Sequence, residues 1–356
     1  MLSTVRFSGL VLGTALSASI TVQAQDYLPI LQYHHVSVSS PASTSVTPEQ
    51  FTEHMDYLKS SGFQVVDLRS ALDDLKANKP LPDKAVAISF DDAYQSIYQA
   101  GFPILKERNF PFTVFINTEP VERNSSSFLT WEQMKEMQAY GGVFANHTVN
   151  HPYMLRKESG ESDRDWLARM EKEVDTVEAL LTKHLGHSPK MLAYPYGESD
   201  RQIRAMMKAK DIIAFGQQSG VVSSDSDFEN LPRFPASGVY ANLSTLKTKL
   251  GAKPMPLLSE KTGGDYATNQ PVTIQLTFKE GKYRFKDLIC YVSGQGKAKL
   301  DWVSDFEVVA TADKPFGVGR GRINCTMPDE SGQHYYWYSN VWIRSSPEQG
   351  YVSEKS

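Results

Sequence analysis

Val86-Ala87-Ile88-Ser89-Phe90-Asp91-Asp92 carries an apolar run straight into two adjacent carboxylates. A short run of this kind reads as a buried strand. Two further segments have the same layout. The run at 143–145 leads to His147-Thr148-Val149-Asn150-His151-Pro152, and the run at 191–194 leads into Pro195-Tyr196-Gly197. With 30–33, 112–116 and 212–215, six strand candidates alternate with helical stretches between residues 26 and about 250. Thr47-Pro48-Glu49-Gln50 and Thr130-Trp131-Glu132-Gln133 read as capping boxes, the first with proline at the opening helical position. Phe51, Met55 and Leu58 then share a face. Leu167, Met170, Val174, Val177 and Leu181 fall at helical spacing in a third helix that stops near Gly186. This alternation predicts an α/β fold, a parallel sheet or a (β/α) barrel. Sites in such barrels sit at the C-terminal strand ends, where the Asp pair and the Tyr-Pro-Tyr-Gly turn both fall.

The pattern changes after residue 250. Lys253-Pro254-Met255-Pro256 and Gly263-Gly264 read as a linker over 251–269. Beyond it Val272, Ile274, Leu276 and Phe278 alternate with polar residues. Further β-like runs at 298–303, 306–310 and 335–343 predict a small all-β sandwich over 270–356. Every candidate catalytic residue precedes the linker, so a chain ending near Leu258 is expected to keep its activity.

The N-terminal 1–24 read as a signal peptide: Arg6, an apolar run from about Phe7 to Ile20, and a small-residue cleavage site at Val22-Gln23-Ala24. The run is short for a membrane span, so no stable span is expected after cleavage. The only two cysteines, Cys290 and Cys325, read as a disulfide in an exported protein, placing the chain in the periplasm or outside the cell. A net charge of −4 argues against nucleic acid as a partner. Nothing in the sequence fixes an oligomeric state.

His147 and His151 supply two nitrogens and Asp92 a third ligand for one divalent metal with open positions for water. Asp91 is then free to act as the base. Zn²⁺ suits the set best, and Co²⁺, Ni²⁺ or Fe²⁺ also fit. Each piece alone is unspecific: an Asp pair can cap a helix, and His-x-x-x-His is more often a surface or core pair. Together at strand ends they point to hydrolysis by a metal-activated water.

These segments resemble the motifs of the polysaccharide deacetylases, carbohydrate esterase family 4, the NodB-homology enzymes. The resemblance covers about residues 28–250. It implies a distorted (β/α) barrel that removes acetyl groups from an acetylated polysaccharide. It also implies Asp91 as base, Asp92, His147 and His151 as metal ligands, and the Tyr196 backbone N–H as an oxyanion donor.

Two features depart from the common pattern. Ala193 stands where the third motif usually has arginine, and no histidine occurs between His187 and His334. Both fit the periplasmic poly-β-1,6-N-acetylglucosamine deacetylases, which the chain is similar to. By that likeness Tyr33-His34 brings the acid and Leu231-Pro232-Arg233 the arginine that orients Asp91. The neighbouring His35 is the other candidate acid, and a surface role is the plain alternative for Arg233. The implied activity is N-deacetylation of a polymer containing N-acetylglucosamine. Peptidoglycan, chitin oligomers and O-acetylated xylan are alternative substrates, and a non-catalytic carbohydrate-binding protein is the alternative of another class.

Tyr153, Trp131 and Tyr240 are candidates to line a sugar cleft by stacking. In Tyr335-Tyr336-Trp337-Tyr338 alternation puts one pair in a core and leaves the other for carbohydrate. His54, His184, His187 and His334 read as structural or solvated.

Overall fold

The computed structural model describes residues 24–346, so the leader read over 1–24 lies outside the described residues apart from Ala24. The N-terminal unit is a curved, mostly parallel sheet. Its main strands are β1 (Tyr27–Tyr33), β2 (Ala85–Asp91), β3 (Phe112–Ile116), β4 (Gly142–Asn146), β5 (Met191–Ala193), β6 (Ile213–Phe215), β7 (Val221–Ser223) and β8 (Phe234–Pro235), and the short Gln64–Val65 pairs beside Ala85 and Val86. They run in the order β7-β1-β2-β3-β4-β5-β6, with β8 also beside β1.

Strand alternation sorts the side chains into two cores. Val86, Ile88 and Phe90 of β2 pack under the helices with Phe51, Met55, Met134 and Val177. Ala85 and Ala87 face the opposite way, among Leu28, Ile30, Phe115, Ala193 and Phe215 inside the curve. Small residues on that inner face leave room for a large side chain further up the barrel.

Residues 228–235 close the curve. Ala214 N–H donates to the Phe228 carbonyl, Leu231 N–H to Ala214 and Gly216 N–H to Leu231, at 2.8–2.9 Å. Three residues later Phe234 lies alongside Leu31 in parallel register. Arg233 therefore sits on the seam between the last barrel strand and the first.

Both capping boxes form, at Thr47 and at Thr130, each with reciprocal Thr and Gln side-chain bonds. A cap of this kind is worth about 1 kcal/mol. The long helix Asp163–Leu185 ends at Gly186 in the left-handed region, at φ 87°. Among the described residues no helix is long and apolar enough to cross a membrane.

The C-terminal unit is a sandwich of two sheets. One runs β9 (Lys253–Pro254), β17 (Tyr335–Arg344), β16 (Gly319–Pro328), β12 (Ile289–Val292) and β13 (Gly296–Lys297). The other runs β10 (Leu257–Lys261), β11 (Thr273–Phe278), β15 (Glu307–Thr311) and β14 (Lys299–Ser304). Ile274, Leu276, Phe278 and Val308 meet Val292, Ile323, Met327 and Trp342 between the sheets. Cys290 and Cys325 are cross-strand neighbours and are bonded to each other.

The stretch read as a linker is a correction. Lys253-Pro254 pairs with Tyr336-Trp337, and Leu257–Lys261 pairs antiparallel with Thr273–Phe278, Leu257 opposite Phe278 and Lys261 opposite Gln275, at the sheet edge. Proline is tolerated there because an edge strand need not donate on its outer side.

The two units are not loosely strung together. Trp337 meets Phe234 edge-on at 5.2 Å, and Ile343 is buried with Met170, Ile203 and Ala214 of the barrel. Tyr266 Oη donates to Asp200 at 2.9 Å, and Asp265 accepts from the Arg201 N–H and from Arg204 at 2.8 and 2.6 Å. A chain ending near Leu258 would leave these barrel surfaces uncovered, so the expectation of a freely removable sandwich does not fit this packing.

Candidate metal centre and active site

The candidate residues collect where β1, β2, β4 and β5 end on one side of the sheet. Asp91 is the last residue of β2 and points to the inner face, continuing Ala85, Ala87 and Ser89. It is fully buried, and so is Arg233. Arg233 Nη1 donates to Asp91 Oδ1 at 2.7 Å and Nη2 to Oδ2 at 2.9 Å. The guanidinium also donates to the Gly216 carbonyl and to Ser89 Oγ, each at 3.3 Å. It lies 5.2 Å from the Phe115 ring centroid. Gln32 Nε2 adds a third donor to Asp91, at 2.7 Å from Oδ2. Burial pushes the Asp91 carboxyl up, but Arg233, with His147, outweighs it and holds the group well below the usual carboxylate range.

Asp92 lies one residue on and faces a different neighbourhood. Its Oδ1 is 3.2 Å from His147 Nε2 and 3.4 Å from His151 Nε2. The three ligand atoms lie within 4.8 Å of one another. His147 Nδ1–H donates to the Ala193 carbonyl at 2.7 Å, which leaves Nε2 free to accept or to ligate. Burial, with His147 beside it, pushes His151 down to about 4, so that imidazole is neutral at ordinary pH. One carboxylate and two imidazoles with oriented lone pairs are the donor set of a borderline divalent cation, and these residues fit one.

Local turns bring the ligands together. Asn146 Oδ1 accepts from the Thr148 N–H, Thr148 Oγ1 from the His151 N–H, and Glu173 from the N–H groups of Val149 and Asn150. Five non-glycine residues of the three loops have positive φ: Asp92, Ala93, Thr148, His151 and Tyr196. Each such position costs of order 1–3 kcal/mol, and the surrounding bonds must over-determine it.

His34 follows β1, and its Nε2 lies 3.9 Å from Asp91 Oδ2. His35 points elsewhere. It stacks on Tyr94 at 3.6 Å and meets Ser96 Oγ at 3.4 Å. The Tyr94 hydroxyl in turn interacts with Asp92.

At the end of β5, Tyr196 takes φ 58° and ψ 3°. Its ring stacks on Tyr153 at 3.9 Å and meets His151 edge-on at 4.6 Å. Its carbonyl accepts from Arg320 Nη1 of the sandwich, and the same nitrogen lies 3.2 Å from Gln217 Oε1.

Residues 78–214 match the family described as polysaccharide deacetylase, and they hold β2, all three candidate metal ligands and the Tyr196 turn. This domain belongs to the polysaccharide deacetylase family. The chain is 36% identical over 135 residues to Bacillus subtilis (strain 168) YxkH, whose name assigns it to the same family. It is 33% identical over 129 residues to the Escherichia coli (strain K12) poly-β-1,6-N-acetyl-D-glucosamine N-deacetylase. These matches cover 38% and 32% of this chain, and 47% and 18% of the relatives, so the chain spans at most about half of either. The Streptococcus pyogenes deacetylase PplD, solved with acetate, superposes with a TM-score of 0.57 at 25% identity, over 63% of this chain and 98% of that one.

Within the N-terminal unit the structure brings Asp91, His34 and Arg233 into one cluster and Asp92, His147 and His151 into another beside it. Tyr196 stands at the rim. Two of the three aromatic candidates need correcting. Trp131 is only 8% exposed, stacks face to face on His184 at 4.4 Å and donates to Glu122. It is part of the helix core and offers no free ring face. Tyr153 is sandwiched between the Tyr196 ring and the Arg156 guanidinium, 3.5 Å from its centroid. It braces Tyr196, and the 37% exposed Tyr196 is the ring at the rim. In the C-terminal aromatic run Trp337 packs on the barrel and Tyr336 and Tyr338 on the sandwich core, while Tyr335 stays exposed.

Sequence reasoning missed Gln32, Ser89, Tyr94 and Arg320. Gln32 had a signal, because alternation from Leu28 and Ile30 puts it on the inner face. His54 is buried, with Nε2–H donating to the Ala241 carbonyl and Nδ1 accepting from Tyr33, a structural role.

Proposed function

We propose that this protein is a metal-dependent hydrolase that removes N-acetyl groups from a polysaccharide containing N-acetylglucosamine. The observation that carries the reading is the split between two adjacent carboxylates. Asp91 is locked to a buried arginine beside His34, while Asp92 faces two imidazoles. The N-acetylglucosamine polymer named for the Escherichia coli relative and the acetate in the Streptococcus pyogenes structure support the substrate class and product.

Asp92, His147 and His151 would hold the cation. Arg233 keeps Asp91 ionised at any working pH and only weakly basic. A divalent cation held by these three residues would supply Lewis acidity, enough for so weak a base to take a proton from water. Asp91 accepts the proton of the attacking water as its oxygen bonds to the acetyl carbon. The Tyr196 N–H donates to the carbonyl oxygen as charge develops there. His34 then gives a proton to the sugar nitrogen, the C–N bond breaks, and acetate and a free amine remain. The Cys290–Cys325 bond supports an oxidising compartment, periplasmic or extracellular.

The test is acetate release from a panel of defined glycans: β-1,6-linked N-acetylglucosamine oligomers, chitin oligomers, peptidoglycan fragments and acetylated xylan. Release from the β-1,6 oligomers above the others fits the proposal. Release from xylan alone would replace it with an O-esterase.

A further inference from the structure

The sandwich reaches into the rim of the site through one side chain. Arg320, on β16, donates through Nη1 to the Tyr196 carbonyl and lies within hydrogen-bond distance of Gln217 Oε1. The turn is boxed in at that point. A Cβ added to Gly197 (φ 68°) would collide with Arg320 Nη1 on one side and come within 2.7–2.8 Å of Gln217 on the other.

The strand behind Arg320 is anchored to the barrel. Arg320 pairs in register with Ile343, which is buried among barrel residues. Further along β17, Ser339 Oγ donates to the Ser219 carbonyl. Residues 217–219 are thus held at both ends by sandwich contacts. The same loop gives the Gly216 carbonyl to Arg233 Nε and the Gln218 carbonyl to the Arg233 backbone N–H.

We propose that Arg320 is a positioning residue supplied by the C-terminal sandwich. It holds the Tyr196–Gly197 peptide so that the left-handed Tyr196 presents its N–H and its ring to the site. This rests on the deacetylase reading, in which Tyr196 N–H is the oxyanion donor. The turn is closed by Gly197 N–H donating to the Tyr194 carbonyl and Glu198 N–H to the Pro195 carbonyl, at 2.9 and 3.2 Å. Neither fixes the Tyr196 carbonyl, whereas Arg320 does. An arginine suits this place because the two N–H bonds of Nη1 are fixed in the guanidinium plane, one for each oxygen, whereas a lysine ammonium rotates freely and offers less directional control.

The experiment compares R320A and R320K with the wild-type full chain. A β-1,6-linked N-acetylglucosamine pentamer is the substrate, and metal content and Tm are measured alongside. R320A is expected to lower kcat about 10–100-fold, as a displaced catalytic donor does. KM should change less than threefold, with metal content unaltered. R320K should recover part of the loss. Hydrogen exchange without substrate should be faster in the 194–198 peptide of R320A than of wild type.

Wild-type kcat and wild-type exchange in folded R320A would overturn the inference. So would a kcat loss that follows metal loss and is not relieved by lysine. A wild-type protein that releases no acetate, with exchange at 194–198 still rising in R320A, would instead overturn the deacetylase reading and leave the clasp standing.

Discussion

Arg233 grips both carboxylate oxygens of Asp91, at 2.7 and 2.9 Å, and neither side chain is exposed to solvent. The pair sits on the barrel seam, so one contact serves closure of the fold and the charge state of the proposed base. Removing one partner leaves a buried charge unpaired, which typically costs 3–5 kcal/mol. R233M should therefore lower Tm and cut kcat by about 10²-fold or more. R233K should recover little, because an ammonium cannot reproduce two parallel bonds. A normal Tm and rate in R233M would show that Asp91 does not depend on this clamp.

The two neighbouring histidines give a sharp contrast. His34 Nε2 is 3.9 Å from Asp91, while His35 is stacked on Tyr94. H34A should lose about 10²–10⁴-fold in kcat, the usual worth of a general acid. H35A should lose far less. Steady-state rates of both variants, at matched metal content, decide the assignment, and the reverse order would move the acid role to His35.

Lys249 offers a test of stability against pH. It is 3% exposed, donates to the Pro235 carbonyl and lies 4.2 Å from the Tyr240 ring centroid. Burial, with Arg322 nearby, pushes its ammonium down to about 7 from an ordinary 10.5. Between these values the unfolded chain holds a proton that the folded chain has released, so stability rises with pH through that window. Below about pH 7 the cost of a buried charge is fully present. K249M removes it, so the advantage of the variant over wild type in urea unfolding should shrink by about 1–3 kcal/mol from pH 6.5 to pH 9. An advantage independent of pH would mean that Tyr240 and the Pro235 carbonyl keep the ammonium charged.

Truncation near Leu258 should now be damaging. It removes Trp337 from Phe234, Ile343 from the barrel core and Arg320 from the Tyr196 turn. The shortened chain is expected to aggregate or to lose cooperative unfolding, followed by calorimetry. A soluble, cooperatively melting product with full activity on short oligomers would show that the interface is dispensable.

The sequence announces the barrel where local chemistry is unambiguous. Thr47 and Thr130 cap helices because their hydroxyls and the following glutamines satisfy orphan N–H groups, a purely local matter. The three motif loops are legible because each stands at the end of an apolar strand. The β16 strand is not, because Gly321 and Cys325 occupy its inward positions and weaken the apolar rhythm. The β10 edge is masked by Ser259, Glu260 and Lys261, polar residues that suit an outer strand. Trp131 shows the limit of composition: an aromatic residue near a site is read as a platform until its burial is known. Arg320 could not be found by any local signal, since its partners, Tyr196 and Gln217, lie more than 100 residues away.

In the proposed reaction Asp91 and Asp92 do different work, one as base and one as ligand. D91N and D92N purified in parallel test it most directly, with bound divalent metal measured by elemental analysis and acetate release measured on the same samples. About one ion per chain is expected in wild type and D91N, little or none in D92N, with acetate release abolished in both variants. D91N that releases acetate at the wild-type rate, or D92N that keeps a full complement of metal, would contradict it.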